Sequence, residues 1–190
     1  PGVEVPEIKE KTANEVPVIL WNHRWEYDKD PDEFFNTLIE LKDSYDFKVI
    51  VCGEERKNAP EIFQKAREIL SDRIIHFGFA KDRKTYFELL EKCDIAPVTA
   101  KHEFFGLSVL EAATCGVIPI LPQRLSYPEL FPQEDFGDLF YEDGKLKQKL
   151  ENVLSTYKEI DTSKTTKRAR QFSWDEFNNN FIALIKISDN

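Results

Sequence analysis

Five short apolar runs, at residues 16–22, 47–52, 73–77, 94–98 and 117–121, alternate with segments whose apolar residues recur at helical spacing. That alternation constrains the fold more than any other feature of the chain. The runs have the length and β-branched character of buried strands. Between them lie stripes such as Phe34, Leu38 and Leu41, then Ile62, Phe63, Ala66, Ile69 and Leu70, then Tyr86, Leu89 and Leu90. A strand followed by a helix returns to the same sheet by a right-handed crossover and lies parallel to its predecessor. The expectation is an α/β protein with a doubly wound parallel sheet, Rossmann-like, with helices on both faces. A further short strand is expected near 139–141, and the pattern is helical afterwards, with a break near 161–163. Residues 1–15 read as a linker or leftover arm, 16–160 as the Rossmann-like unit, and 161–190 as C-terminal helices.

Composition narrows the function classes. The 190 residues include 15 Phe and are 41% hydrophobic, enough for one sizeable core. Lys and Arg number 26 against 35 Asp and Glu, a net charge of −9, which argues against nucleic-acid binding by this chain alone. Cys52, Cys93 and Cys115 are odd in number and sit in or beside apolar runs, as reduced thiols of a cytoplasmic protein would. No run approaches the length of a membrane span. A start at Pro1 and the absence of Met suggest a piece of something longer.

Doubly wound sheets bind ligands beyond the carboxyl ends of their strands. Four loops fall on that rim: residues 22–29, Gly53-Glu54, Gly78-Phe79 and 99–106. The last leads into HEFFGLSVLEAATCG, which sets Glu103 and Glu111 eight positions apart across a glycine and a helix start. The N–H groups of Gly106, Leu107 and Ser108 are expected to be unpaired there and to favour a diphosphate by about 1 kcal/mol. Glu103 on the loop could accept hydrogen bonds from sugar hydroxyls and Glu111 from a ribose, so the pattern suits a nucleotide sugar. The plainer alternative is a capping Glu103 and a solvated Glu111. Against it, Glu111 lies between Leu110 and Ala112-Ala113, where a carboxylate needs a partner.

The pattern Glu-x-Phe-Gly-Leu-x-x-x-Glu-Ala, followed by Cys-Gly and a Pro within a strand, resembles the signature of the large retaining GT-B glycosyltransferase family. His23-Arg24-Trp25-Glu26-Tyr27-Asp28-Lys29 resembles that family's Gly-Arg-Leu-x-x-x-Lys, and Tyr127-Pro128-Glu129 its Gly-Gly-x-Pro-Glu. Phe172-Ser173-Trp174 is similar to the Phe-Ser-Trp that opens the family's terminal helix, which folds back toward the acceptor domain. More narrowly, WNHRWEYDKDP, AKHEFFG and LSYPELFP resemble the tRNA-queuosine mannosyltransferases, which transfer mannose from GDP-mannose to queuosine in tRNA. The resemblance runs over residues 16–132 and more weakly beyond, and it covers only a C-terminal donor domain. It departs from the broad family at His23, where a glycine is usual, and at Leu125, Ser126 and Tyr127.

The resemblance implies that Arg24 and Lys29 hold the donor diphosphate and neutralise the leaving group. It implies Glu103 at the donor sugar, Glu111 at the ribose, and Phe105, Gly106, Leu107 and Ser108 around the diphosphate. It also implies a tRNA acceptor read by an N-terminal domain outside this chain. Arg24 suits bidentate contact with phosphate and Lys29 a point charge. With both present, no metal is needed. Asp28, Asp30 and Asp32 alternate as metal ligands might, but Pro31 makes Asp30 a helix N-cap instead. His23 and His102 both fall on the rim, and His102, beside Glu103, is the stronger candidate donor ligand. His76 lies inside a strand and reads as structural. Gly78 and Phe79 are candidates to line a base pocket, although Phe79 reads equally well as core. Lys164, Lys167, Arg168 and Arg170 form the only concentrated basic run, read as a solvated helix face before a tRNA contact.

Overall fold

The computed structural model describes residues 2–6, 11–55, 58–176 and 178. Strands β1 (Val18–Trp21), β2 (Lys48–Cys52), β3 (Ile74–Gly78), β4 (Ile95–Pro97), β5 (Ile118–Pro122) and β6 (Phe140–Tyr141) form one sheet in the order β3-β2-β1-β4-β5-β6. All its pairings are parallel. Helices α1 (Pro31–Leu41), α2 (Ile62–Ile69), α3 (Arg83–Leu90), α4 (Leu107–Thr114), α5 (Tyr127–Leu130), α6 (Gln133–Phe136), α7 (Leu146–Thr156) and α8 (Ser163–Arg170) connect or follow the strands. The doubly wound arrangement expected from the alternation is the one observed.

Strand periodicity divides the core into two layers. Ile19 and Trp21 of β1, with Val49 and Val51 of β2, point to the side covered by α1, α2 and α7. Val18 and Leu20, with Ile50 and Cys52, point to the side of α3 and α4. On the first side the aromatic payload is concentrated. Trp21 meets Phe34 at 5.0 Å and Phe35 at 5.8 Å between ring centroids, and Phe63 packs beneath them. This cluster fixes the end of β1, from which the cleft loop departs.

Local details differ from expectation in four respects. Asp30 occupies the N-cap of α1 and Pro31 its first turn, but the Asp30 side chain makes no capping bond. Its carboxylate instead meets Lys101 Nζ at 2.7 Å, and its backbone takes the left-handed conformation at φ 50°. Ile69 is 37% exposed rather than inward, because the buried stripe centres on Phe63, Ala66 and Leu70 and leaves Ile69 at its edge.

Residues 2–6 and 11–15 are not a free arm. Val3 is buried, donates its N–H to Phe172 O at 2.8 Å and accepts from Trp174 N. Asn14 binds the Asp94 carboxylate at 2.7 Å, beneath the start of β4. Finally, α8 lies along α4, with Ala169 fully buried and Thr166 Oγ1 donating to Ala113 O. The expected terminal helix begins at residues 174–176; residues 177 and 179–190 lie outside the described residues.

Candidate active site

The strand order reverses between β1 and β4, and the loops leaving their carboxyl ends part around a cleft of about 730 Å³, within the range of small-molecule sites. The loop after β1 is held from below. Trp25 is buried and stacks on Phe63 at 4.4 Å, nearly coplanar, and the Trp21 indole N–H donates to His23 O. Gly53 permits this approach: a Cβ there would lie 2.3 Å from His23 O. The loop then enters a 3-10 turn, Tyr27–Lys29. The two rim loops are tied directly, with Lys101 N donating to Asp28 O at 2.8 Å and Thr99 Oγ1 to Lys29 O at 2.7 Å.

Lys29 is 7% exposed, and its ammonium is spent across the cleft. It donates to His102 O and lies 3.4 Å from Glu103 and 3.2 Å from Asp28. The other oxygen of Glu103 accepts the N–H of Gly106 at 3.0 Å and of Phe105 at 3.2 Å. Burial works to raise the Glu103 carboxyl, but those two N–H groups and the Lys29 ammonium together hold it below its ordinary value. Glu103 is therefore an ionised acceptor fixed at the mouth of the cleft. Arg24 is more open and pairs with Glu26 at 3.1 Å.

Helix α4 begins at Gly106, whose φ of 92° suits glycine and whose missing Cβ leaves room for Leu130. The N–H groups of Leu107 and Ser108 have no acceptor among the described residues. One turn on, Glu111 receives Arg83 at 2.7 Å on one oxygen and the Tyr86 hydroxyl at 2.9 Å on the other. Asn22 donates to Tyr86 and to Ser108 O, closing the network beneath the cleft. Burial and the Glu111 charge push the Tyr86 hydroxyl well above its usual range, so it stays a donor. His23 is buried, with Nδ1 3.1 Å from Ser108 Oγ. Its burial, followed by the nearby Lys29 charge, lowers its pKa to about 4, so it is neutral at physiological pH.

The family model of the glycosyl transferases group 1 matches residues 4–172. The chain belongs to that family. It is 42% identical over 135 residues to the tRNA-queuosine alpha-mannosyltransferase of Drosophila melanogaster, covering 70% of this chain and 35% of the relative. It is 29% identical over 108 residues to a GDP-mannose-dependent alpha-(1-6)-phosphatidylinositol dimannoside mannosyltransferase of Mycobacterium tuberculosis, covering 56% and 27%. The chain thus spans about a third of the length of these curated relatives. A solved glycosyltransferase from Rickettsia africae superposes with a TM-score of 0.71 over 91% of this chain and 48% of that one, at 17% identity, and so shares the fold.

In this glycosyl transferase group 1 domain, Arg24, Lys29, Glu103, His102, Leu107, Ser108, Glu111 and Phe79 all line the one cleft. Three expected residues do not. Phe105 turns away and packs edge-on against Phe172 at 6.0 Å, because its neighbours Val109 and Leu110 form the apolar side of α4. Gly106 supports the helix start, and its N–H, expected to be unpaired, is taken by Glu103. Gly78 ends β3 and accepts from Gly53 N at 3.1 Å.

The sequence reading missed Phe104, which is 99% exposed at the cleft, along with Arg83, Tyr86 and Asn22. A weak signal existed for two of them. Arg83 and Tyr86 sit three apart just after Asp82, which caps α3 by accepting from Thr85 N at 2.7 Å. Glu111 does have the partner its apolar setting demanded, supplied by the protein itself.

The basic run is largely committed inside the molecule. Arg168 donates to Leu130 O and Glu129 O, Arg170 to Pro6 O and Thr114 O, and Lys164 to Asp135. Asp28, Asp30 and Asp32 face different surroundings: Asp28 meets Lys29, Asp30 meets Lys101, and Asp32 lies beside Asn36 and Glu61. The three thiols are free, with burial raising Cys52 to about 12 and Cys115 to about 11. Among the described residues no helix is long and apolar enough to cross a membrane.

Proposed function

We propose that this domain is the donor-binding half of a retaining glycosyltransferase that transfers mannose from GDP-mannose to queuosine in tRNA. The observation that carries the reading is the convergence of Lys29, Glu103 and Glu111 on one cleft at the start of α4. The 42% identity to a tRNA-queuosine alpha-mannosyltransferase supports the choice of sugar and acceptor. Arg24, Lys29 and the free N–H groups of Leu107 and Ser108 hold the diphosphate. Glu111 accepts from the ribose and Glu103 from the sugar. Because charge develops on the leaving diphosphate as the glycosidic bond breaks, fixed cations and amides beside it lower the barrier electrostatically. These cations do the work that a metal would do elsewhere, so binding is metal-independent. Phe79 lies against the base.

The acceptor is read by an N-terminal domain outside this chain, and the enzyme works in the cytoplasm, where its thiols stay reduced. A second reading, a lipid acceptor, draws on the dimannoside mannosyltransferase relative. Calorimetric titration with GDP, UDP and GDP-mannose, with and without magnesium, is the test. Metal-independent preference for guanine nucleotides is expected, and a preference for UDP would overturn the donor. Transfer to queuosine-containing tRNA by the full-length protein, compared with transfer to a polyprenyl or phosphatidylinositol acceptor, decides the acceptor.

A further inference from the structure

We propose that His23, oriented by Ser108, is a direct ligand of the donor diphosphate and presents Nε2–H to a phosphate oxygen. The proposal rests on the donor-site reading above and deepens it. His23 is 6% exposed, lines the cleft, and has one ring nitrogen committed: Nδ1, 3.1 Å from Ser108 Oγ. Nε2 has no partner among the described residues and is not among the fully buried side-chain atoms that lack one, so it opens to the cleft that His23 lines. The ring is not free to turn away, because its edge packs on Trp21 at 5.3 Å and its carbonyl is held by the Trp21 indole. By contrast the His102 ring is exposed, and only the His102 backbone is engaged, its carbonyl by Lys29 and its N–H by Asp28 O.

Two protonation states can serve an anion. In the neutral ring the proton sits on Nε2, and the Ser108 hydroxyl donates to Nδ1. In the imidazolium, Nδ1–H donates to Ser108 Oγ and Nε2–H to phosphate, the added proton coming from solvent. Lys29 opposes the second state, whereas Glu103 and Asp28 favour it; Arg24, adjacent to His23 in the chain, is paired with Glu26. In the protein alone, burial and Lys29 prevail. A bound diphosphate brings two negative charges to the same wall and shifts that balance toward the imidazolium. Mildly acidic binding should therefore carry a proton into the complex.

The measurement is calorimetry with GDP-mannose, and with UDP-glucose in parallel, at about pH 5.5 in two buffers of different ionisation enthalpy. A nucleotide sugar suits this because its diphosphate diester does not itself titrate there. Wild type is expected to take up a measurable fraction of a proton. His23→Asn is expected to take up none and to bind about tenfold more weakly. Ser108→Ala, which keeps the backbone N–H, is expected to weaken binding several-fold and reduce the uptake. Binding without uptake, and unchanged in both variants, would overturn the role of His23 while leaving the donor site intact. Uptake that survives His23→Asn but disappears in His102→Asn would assign the proton to His102 and equally overturn it. If wild type binds neither nucleotide sugar, the donor-site reading itself fails and takes this proposal with it.

Discussion

Lys29 and Glu103 arrive from loops on either side of the strand-order reversal and meet at 3.4 Å, with the Lys29 side chain 8% and the Glu103 side chain 18% exposed. The pair is a structural tie between the rim loops as well as a candidate piece of the site, because the same ammonium also binds His102 O. Replacing Lys29 by Ala leaves a half-buried carboxylate and an orphaned carbonyl. We expect a loss of about 1–3 kcal/mol in urea unfolding and at least tenfold weaker GDP binding. Unchanged nucleotide affinity would remove Lys29 from the site.

Glu111→Gln tests whether this carboxylate recognises a ribose. The variant keeps an acceptor for Arg83, but its amide N–H would face the Tyr86 hydroxyl, whose proton loses its acceptor, so a loss of about 1–2 kcal/mol in urea unfolding is expected. Binding of GDP should weaken about tenfold. Binding of a guanosine diphosphate lacking the ribose hydroxyls should change much less, and equal losses for both nucleotides would argue against a ribose contact.

Stability should depend on pH through His23. Its folded value of about 4 lies below its unfolded value of 6.5, so between these the unfolded chain binds more protons. The contribution is fully present above about pH 6.5 and disappears as the pH falls toward 4, amounting to at most about 3 kcal/mol. Glu103, also depressed, adds a loss in the same direction once the pH falls below the ordinary carboxylate range. Urea unfolding from pH 7 to 4 should show the decline, and His23→Asn should flatten its upper part.

Adjacent phenylalanines should behave oppositely. Phe105→Ala removes a ring packed on Phe172 and is expected to cost about 2 kcal/mol of stability. Phe104→Ala removes a ring that is 99% exposed and should leave the unfolding midpoint within about a degree. A large destabilisation by Phe104→Ala would mean that its side chain is packed in solution.

Gly106→Ala tests the entry to α4. Its φ of 92° is strained for alanine, and the added Cβ would lie 2.7 Å from Leu130 Cδ1. We expect a loss of about 1–3 kcal/mol together with weaker nucleotide binding, since the turn that Glu103 caps would shift. Retained stability would mean that Leu130 moves aside readily.

The sequence by itself determined the parallel sheet, its doubly wound order and the four loops that form the rim. Period-two strands and period-3.6 helices are local patterns, and the handedness of crossovers leaves few topologies for them. Glu111 was legible because a carboxylate inside an apolar helix demands a partner, Glu103 because it sits on the rim loop just before that helix, and Lys29 through the resemblance of residues 23–29 to a family motif. Only the tertiary structure decided who the partners are: Arg83 and Tyr86 for Glu111, Lys29 for Glu103, Ser108 for His23. These contacts join residues far apart in sequence. Which of Phe104 and Phe105 faces the cleft was likewise undetermined along the chain. It turns on the left-handed backbone at Gly106, which aims one ring at Phe172 and leaves the other in solvent.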